Sequence, residues 1–165
     1  MDDADNNNYQ GPQERGQGRP RLPNLSLMLN SHDRSSWKVK KILTRSDVND
    51  LYRLMLKKTM VQEHILNKWN EGSRRAVIAV ETEQGQTVEV WDANTDTTHG
   101  LVFKRWRSSG SFVFTHNWKT EFVNRRDLRE GDEIGLRWDS EHSRFEFCVL
   151  SWAWVSVFHW SEKEK

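Results

Sequence analysis

The chain has 165 residues, of which 35% are hydrophobic and 30% are charged, and its formal net charge is +1. A single cysteine, Cys148, excludes an intramolecular disulfide framework and a cysteine-rich zinc site. No apolar run reaches the roughly 18 residues that a membrane helix needs, and the polar N-terminus lacks the pattern of a signal peptide. We therefore expect a soluble intracellular protein, and the near-zero net charge argues at first against a nucleic-acid-binding one.

The composition divides the chain into three parts. Residues 1–36 are rich in Asn, Gln, Gly and Arg, contain all three prolines, and hold only four of the 37 Leu, Ile, Val and Phe residues. Such a segment buries too little apolar surface to fold, so we predict a disordered polar N-terminal arm, called the tail below. Residues 37–150 are predicted to form one domain, and residues 151–165 an aromatic extension that adds a strand.

Period-two patterns and short β-branched or aromatic runs predict strands after Trp37. The eight predicted strands are Val39–Thr44, Tyr52–Leu56, Ala76–Glu81, Thr87–Asp92, Leu101–Trp106, Ser111–Thr115, Glu133–Trp138 and Arg144–Leu150. Helical spacing of apolar residues predicts two short helices, Lys58–Lys68 and Trp118–Arg125, with Trp118 and Phe122 of the second packed on the core. Many short strands with two helices indicate a mainly antiparallel barrel or sandwich.

The charges are unevenly distributed along the chain. Residues 38–75 sum to +6 and residues 101–130 to +4, whereas residues 76–100 contain five acids and no Lys or Arg. The simplest interpretation is a set of solvated faces, which charge clusters usually form. The alternative is that two basic blocks give one face that attracts phosphate while the acidic block lies on the opposite face.

Each basic block contains a loop held by apolar residues. The first loop, between Ile42 and Leu54, is predicted to present Thr44, Arg45, Ser46 and Asp47, although Ser46-Asp47 could instead cap a short helix. The second, between Lys104 and Val113, is a basic and hydroxyl-rich tip, although an ordinary polar hairpin turn would have similar residues. Arg and Lys suit phosphate and guanine, and Ser and Thr hydroxyls can contact either.

The order and spacing of three motifs resemble the plant B3-type DNA-binding domain, from about residue 38 to residue 150. The motifs are Lys41-x-x-Thr44-x-Ser46-Asp47-Val48-x-x-Leu51-x-Arg53-Leu54, Trp106-x-Ser108-Ser109-x-Ser111-Phe112-Val113-x-Thr115 and Leu128-x-x-Gly131-Asp132-Glu133-Ile134. The resemblance implies a seven-stranded open pseudobarrel with two short helices and two loop arms that grip the major groove of DNA. Lys57 replaces a proline common in the family, and Arg107 replaces an asparagine, which implies a changed base preference or a phosphate contact.

The resemblance implies a double-stranded DNA-binding, non-enzymatic transcription regulator of the plant nucleus. The expected DNA-binding residues are Lys40, Lys41, Thr44, Arg45, Ser46, Arg53, Lys104, Arg105, Trp106, Arg107, Ser108, Ser109 and Ser111. From the residues themselves we expect no catalytic site, cofactor, metal site, membrane contact or small-molecule substrate, since the six histidines lack metal-ligand spacing. An alternative function is a protein-interaction module that has lost base reading and binds its partner through the aromatic segment Trp152–Trp160.

Overall fold

The computed structural model describes residues 31–70 and 73–153 of the chain. Their seven strands form one sheet in the order β1-β6-β7-β3-β4-β5-β2. The strands are β1 (Val39–Ile42), β2 (Leu54–Leu56), β3 (Gln86–Asp92), β4 (Thr97–Arg105), β5 (Phe112–Thr115), β6 (Glu133–Asp139) and β7 (Arg144–Ser151). The sheet curls into a nearly closed barrel, which confirms the predicted seven-stranded open pseudobarrel. All neighbouring strands are antiparallel except β3 and β7, which are parallel.

Short helices flank the sheet. They are α1 (Arg45–Val48), α2 (residues 58–70), α3 (Arg74–Val80) and the π-helical α4 (Lys119–Asn124). Helix α2 consists of three consecutive segments, the α-helical Lys58–Val61, the π-helical Gln62–Leu66 and the α-helical Asn67–Asn70. The two predicted helices are therefore confirmed as α2 and α4. None of the helices in residues 31–70 and 73–153 is long and apolar enough to cross a membrane.

The prediction of a strand over Ala76–Glu81 is wrong, because residues 76–80 lie in helix α3 and Glu81 is its C-terminal capping residue. Its β-branched residues favour a strand locally, but their burial follows a helical period. Val80 is fully buried, Ala76 and Val77 pack partly buried against the same core, and Ile78 remains 61% exposed. Packing of one helical face on the barrel has thus overridden the intrinsic preference of the residues.

Aromatic rings occupy the centre of the core and supply most of its largest buried side chains. Phe103, Phe114 and Phe145 lie at the centre, with ring centroids between 4.9 and 5.2 Å apart. Trp118 stacks on Phe122 at 5.2 Å, and both are almost completely buried, as the sequence predicts. Such contacts contribute about 0.5–1.5 kcal/mol per pair beyond their area burial.

Both ends of the folded domain are tied to the barrel. Asp33–Ser36, at the end of the predicted tail, lie in a 3-10 turn, and Arg34 pairs with Glu133 of β6. The side chain of Trp152 packs partly buried against the core, and the buried carboxylate of Asp132 accepts the Ala153 N–H at 2.8 Å. Burial raises the pKa of this carboxyl group. The rest of the predicted tail, residues 1–30, and residues 154–165 of the aromatic extension lie outside the described residues.

The single cysteine is buried in a small second apolar cluster, beside Trp37 and Leu150, and does not provide a reactive thiolate. Cys148 is 4% exposed, and burial raises the pKa of its thiol to about 12. A protonated thiol is a poor nucleophile. Cys148 therefore has the environment of a packing residue.

Candidate nucleic-acid interface

Two loops emerge where the ends of the sheet approach each other. The N-terminal arm, residues 43–53, joins β1 to β2, and the C-terminal arm, residues 106–111, joins β4 to β5. The N-terminal arm enters β2 at Leu54, which pairs with Phe114 of β5, whereas the C-terminal arm enters β5 at Phe112, which pairs with Leu56. Because β2 is only three residues long, the two predicted loops still lie near each other, although about 60 residues separate them in the chain.

A buried carboxylate organises the N-terminal arm. The side chain of Asp47 is fully buried, and its Oδ2 atom accepts hydrogen bonds from the Thr44 N–H at 2.8 Å and the Thr44 hydroxyl at 2.7 Å. Its Oδ1 atom accepts the Met55 N–H at 3.1 Å. Asp47 therefore connects the start of α1 to strand β2 by hydrogen bonds. The residue that caps the N-terminus of α1 is Thr44 and not Ser46.

Lys41 supplies the positive charge that faces this carboxylate. Its Nζ atom lies 3.1 Å from Asp47 Oδ2 and donates to the carbonyl oxygen of Met55. Strands β1 and β2 are the two outer strands of the sheet, so Lys41 bridges the opening of the barrel. The sequence predicts a DNA contact for Lys41, whereas the structure places it in an internal ion pair that holds the arm.

Arg53 and Trp106 connect the two arms directly. The Arg53 guanidinium carbon lies 5.4 Å from the centre of the Trp106 ring, and Lys104 Nζ lies 5.9 Å from the same ring. Arg53 directly precedes the buried Leu54 of β2, and Lys104 follows the buried Phe103 of β4, so both cationic side chains lie on the face opposite the core, the outer face. The outer face therefore presents the two arms as one surface.

The C-terminal arm is a short, well-defined turn. The Trp106 N–H donates to the Ser111 carbonyl oxygen at 2.6 Å, and the Gly110 N–H donates to the Trp106 carbonyl oxygen at 2.8 Å. Gly110 has a φ of +70°, a conformation that glycine adopts without strain. The tip residues Arg107, Ser108 and Ser109 are exposed. A rigid turn with an exposed tip can enter a groove at a small ordering cost.

The predicted separation of basic and acidic faces is only partly realised, because residues from different charge blocks meet in space. Glu81 of the acidic block pairs with Arg105 at 2.9 Å, and buried Asp92 accepts from Arg125 at 2.6 Å. Arg126 also pairs with Asp92. The blocks of opposite charge therefore neutralise each other in part, and a prediction made from the sequence alone overestimates the basic surface.

Several cations nevertheless have no salt-bridge partner among the residues that the structure describes. Near the arms these are Lys40, Arg45, Arg53, Lys57, Lys58, Lys104 and Arg107, of which Lys40, Arg53 and Lys104 are half-buried and the others are exposed. Lys57 and Lys58 leave β2 beside the C-terminal arm, since Leu56 pairs with Phe112. Lys58 begins the predicted helix Lys58–Lys68 and Lys57 directly precedes it, and only the strand register shows that both residues adjoin the site.

The contact between Arg53 and Trp106 should couple the two arms energetically. We expect Arg53→Met and Trp106→Leu each to lower the free energy of unfolding, with a coupling energy of about 0.5–2 kcal/mol in a double-mutant cycle. Urea denaturation of the two single variants and the double variant measures this coupling. Strictly additive effects of the two substitutions would show that the ring and the guanidinium do not stabilise each other.

The fold and the paired loops define a barrel domain of the B3 type, and comparisons with known proteins give the family. Residues 37–150 match the family model described as "B3 domain-containing protein At5g26805, C-terminal domain". The chain belongs to this plant family. Its sequence is 37% identical over 111 residues to the putative B3 domain-containing protein At1g78640 of Arabidopsis thaliana, and 34% identical over 116 residues to B3 domain-containing protein At4g02870 of the same plant.

The matches cover 67% and 70% of this chain but only 22% and 35% of those two relatives, so the chain spans a minor part of their length. Two solved structures have the same fold. The Arabidopsis FUS3-DNA complex superposes with a TM-score of 0.53 at 22% identity, over 68% of this chain and 94% of that one. The Arabidopsis thaliana LEC2-DNA complex gives 0.50 at 20% identity, over 67% and 88%.

Proposed function

We propose that this protein binds double-stranded DNA in a sequence-specific manner, inserts its two arms into the major groove, and regulates transcription in the nucleus without catalysing a reaction. The observation that carries the proposal is the contact of Arg53 with Trp106, which joins both arms on one outer face. Two of the solved structures with this fold, FUS3 and LEC2, are complexes with DNA. The membership of the B3 family supports the same function.

The structure supports a division of labour within the predicted set of residues. Arg45 and Arg107 are exposed and have no ion pair in the described part of the chain, so they are available to contact guanine edges. Lys40 of this set can neutralise phosphates, and so can Lys57 and Lys58, which the sequence prediction did not include. Other members of the set position the loops, and these are Lys41, Thr44, Arg53, Lys104, Trp106 and Ser111.

Selection of bound duplexes from a random-sequence library tests the proposal. We expect an enriched motif, together with an affinity that falls as the salt concentration rises, because neutralised phosphates release counterions. Binding without an enriched motif would show that the chain does not read bases. In that case, the protein-interaction alternative is the better explanation.

Arg107 is expected to contact a base edge, whereas Lys58 is expected to contribute only electrostatic attraction to the DNA phosphates. Arg107→Ala should weaken binding to the selected motif by about 1–3 kcal/mol and relax the preference at one position. Lys58→Ala should weaken all duplexes similarly and reduce the salt slope by about 0.9. Fluorescence anisotropy with the selected duplex and single-base variants measures both effects. Equal losses on all duplexes for Arg107→Ala would reassign Arg107 to a phosphate.

A further inference from the structure

The turn between α3 and β3, residues 81–85, contacts the last two residues of β4, Lys104 and Arg105, directly before the C-terminal arm. Glu81 accepts a hydrogen bond from Arg105 Nη1 at 2.9 Å, and the Glu83 carbonyl oxygen accepts from Lys104 Nζ at 3.2 Å. The turn lies directly against β4, since a Cβ atom built on Gly85 would be only 2.7 Å from Lys104 Cβ. Both basic residues at the end of β4 are thus in contact with this turn.

The Arg105 guanidinium lies between Glu81 and the tip of the arm. Nη1 is the atom that binds the Glu81 carboxylate. The Nη2 atom is 3.6 Å, and the Nε atom 4.0 Å, from the position of a Cβ atom built on Gly110. One edge of the guanidinium is therefore bound to a carboxylate of the chain itself, while the other edge faces the loop that we expect to meet DNA.

The pair is well suited to exchange with another anion. Glu81 is the C-terminal capping residue of α3, where the helix end carries a partial negative charge and disfavours an acidic side chain. The side chains of Arg105 and Glu81 are 35% and 47% exposed, so solvent screens their attraction. A carboxylate and a phosphate oxygen bind guanidinium in the same way.

We infer that Arg105 is a phosphate-binding group of the C-terminal arm, and that Glu81 occupies it in the free protein and is displaced by a phosphate of the DNA backbone. Glu81 is therefore a residue that attenuates affinity. This inference rests on the proposed DNA binding, because the displacing phosphate is that of a duplex held by the arms. This attenuating role accounts for the presence of Glu81 beside the basic C-terminal arm.

Glu81→Gln, compared with Glu83→Gln, tests this inference. Both substitutions remove one negative charge from the same turn, but the Glu83 carboxylate has no salt-bridge partner among the described residues. We expect Glu81→Gln to tighten duplex binding roughly two- to fivefold beyond Glu83→Gln, because Arg105 no longer has to be released from a carboxylate before it binds the phosphate. Equal effects of the two substitutions, or weaker binding by Glu81→Gln, would overturn the inference.

Two further measurements separate this inference from the proposed function. In an Arg105→Gln background, Glu81→Gln should behave like Glu83→Gln, since no guanidinium remains to be released. Elution from heparin, a polyanion without bases, does not require base reading. Later elution of Glu81→Gln than of Glu83→Gln would show that Glu81 withholds Arg105 from a polyanion even if no duplex is bound. The absence of duplex binding by the wild-type chain would refute the proposed function and, with it, the DNA phosphate as the displacing group.

Discussion

Replacement of Asp47 by alanine is expected to lower the free energy of unfolding by about 3–5 kcal/mol. The substitution removes a fully buried carboxylate and leaves Lys41, whose side chain is 20% exposed, without its ion-pair partner. It also leaves the N–H groups of Thr44 and Met55 without the acceptor that binds them. Loss of a buried charge partner is among the most destabilising single changes because the remaining charge is uncompensated.

The same substitution should also weaken DNA binding in molecules that remain folded. Asp47 connects α1 to β2 through Thr44 and Met55, and its carbonyl oxygen accepts the Trp118 indole N–H at 2.8 Å. The substitution keeps the backbone bond to Trp118 but removes the side-chain bonds to Thr44 and Met55, so the N-terminal arm loses its attachment to β2 and the cost of ordering it is transferred to the binding step. We expect a rise in Kd of about tenfold or more, measured by anisotropy under conditions where circular dichroism shows a native spectrum.

Asp50→Ala is the matched control for Asp47→Ala. It removes the same charge from the same arm, but Asp50 is 87% exposed, and its one salt-bridge partner in the described part of the chain is Lys119 at the surface. Exposed pairs contribute about 0–1 kcal/mol. A loss for Asp47→Ala that is no larger than that for Asp50→Ala would show that the buried carboxylate does not organise the arm. If Asp47→Ala does not fold, Asp47→Asn, which retains an acceptor oxygen, provides the comparison.

The strands could be predicted because each follows a local rule. In β3, the buried Val88 and Val90 alternate with the exposed Glu89, which is the signature of a strand with one buried face. Segment 76–81 has equally β-branched residues, and only its packing on the barrel shows that it is helical. Intrinsic preference and packing agree in β3 and conflict in α3, so only the structure could decide α3.

The candidate site could be predicted in part. The basic loops are visible in the sequence because Arg45 and Arg107 lie between turn residues and apolar residues. The partners of the basic residues are not visible, since they are far away in the chain. Arg105 pairs with Glu81, which lies 24 positions earlier. Such pairings depend on strand register and on the end of a helix, and neither is encoded in a local pattern.

Replacement of Asp92 by alanine is expected to destabilise the fold by about 3–5 kcal/mol without changing the arms. Asp92 is completely buried and accepts from Arg125 at 2.6 Å, and it also pairs with Arg126, whose side chain is only 7% exposed. The substitution leaves that arginine buried without its carboxylate. Asp92 lies at the end of β3 that pairs with Thr97, whereas the C-terminal arm leaves β4 at its other end.

The contrast between Asp92 and Asp47 separates stability from binding. In urea denaturation, the urea concentration at the unfolding midpoint should fall strongly for both variants. The dependence of the unfolding free energy on urea concentration should be similar in the two variants. At low temperature, where the native state still predominates, Asp92→Ala should bind the selected duplex within about threefold of wild type, since the contacts of Arg53 and Trp106 are retained. A loss of binding that matches that of Asp47→Ala would mean that binding simply follows stability.

Asp127→Ala is the matched control for the stability effect. Its carboxylate is 80% exposed and pairs with Arg129 at 2.8 Å, so the charge change is the same while burial differs. Asp127 has a φ of +50°, which alanine adopts less readily than aspartate, so this surface substitution should cost about 1 kcal/mol, still well below the cost of Asp92→Ala. Asp92→Asn tests the charge separately from the packing volume, because it retains an acceptor for the arginines. If Asp92→Ala were as mild as Asp127→Ala, the buried ion pair would contribute nothing, and the aromatic core alone would hold α4 on the barrel.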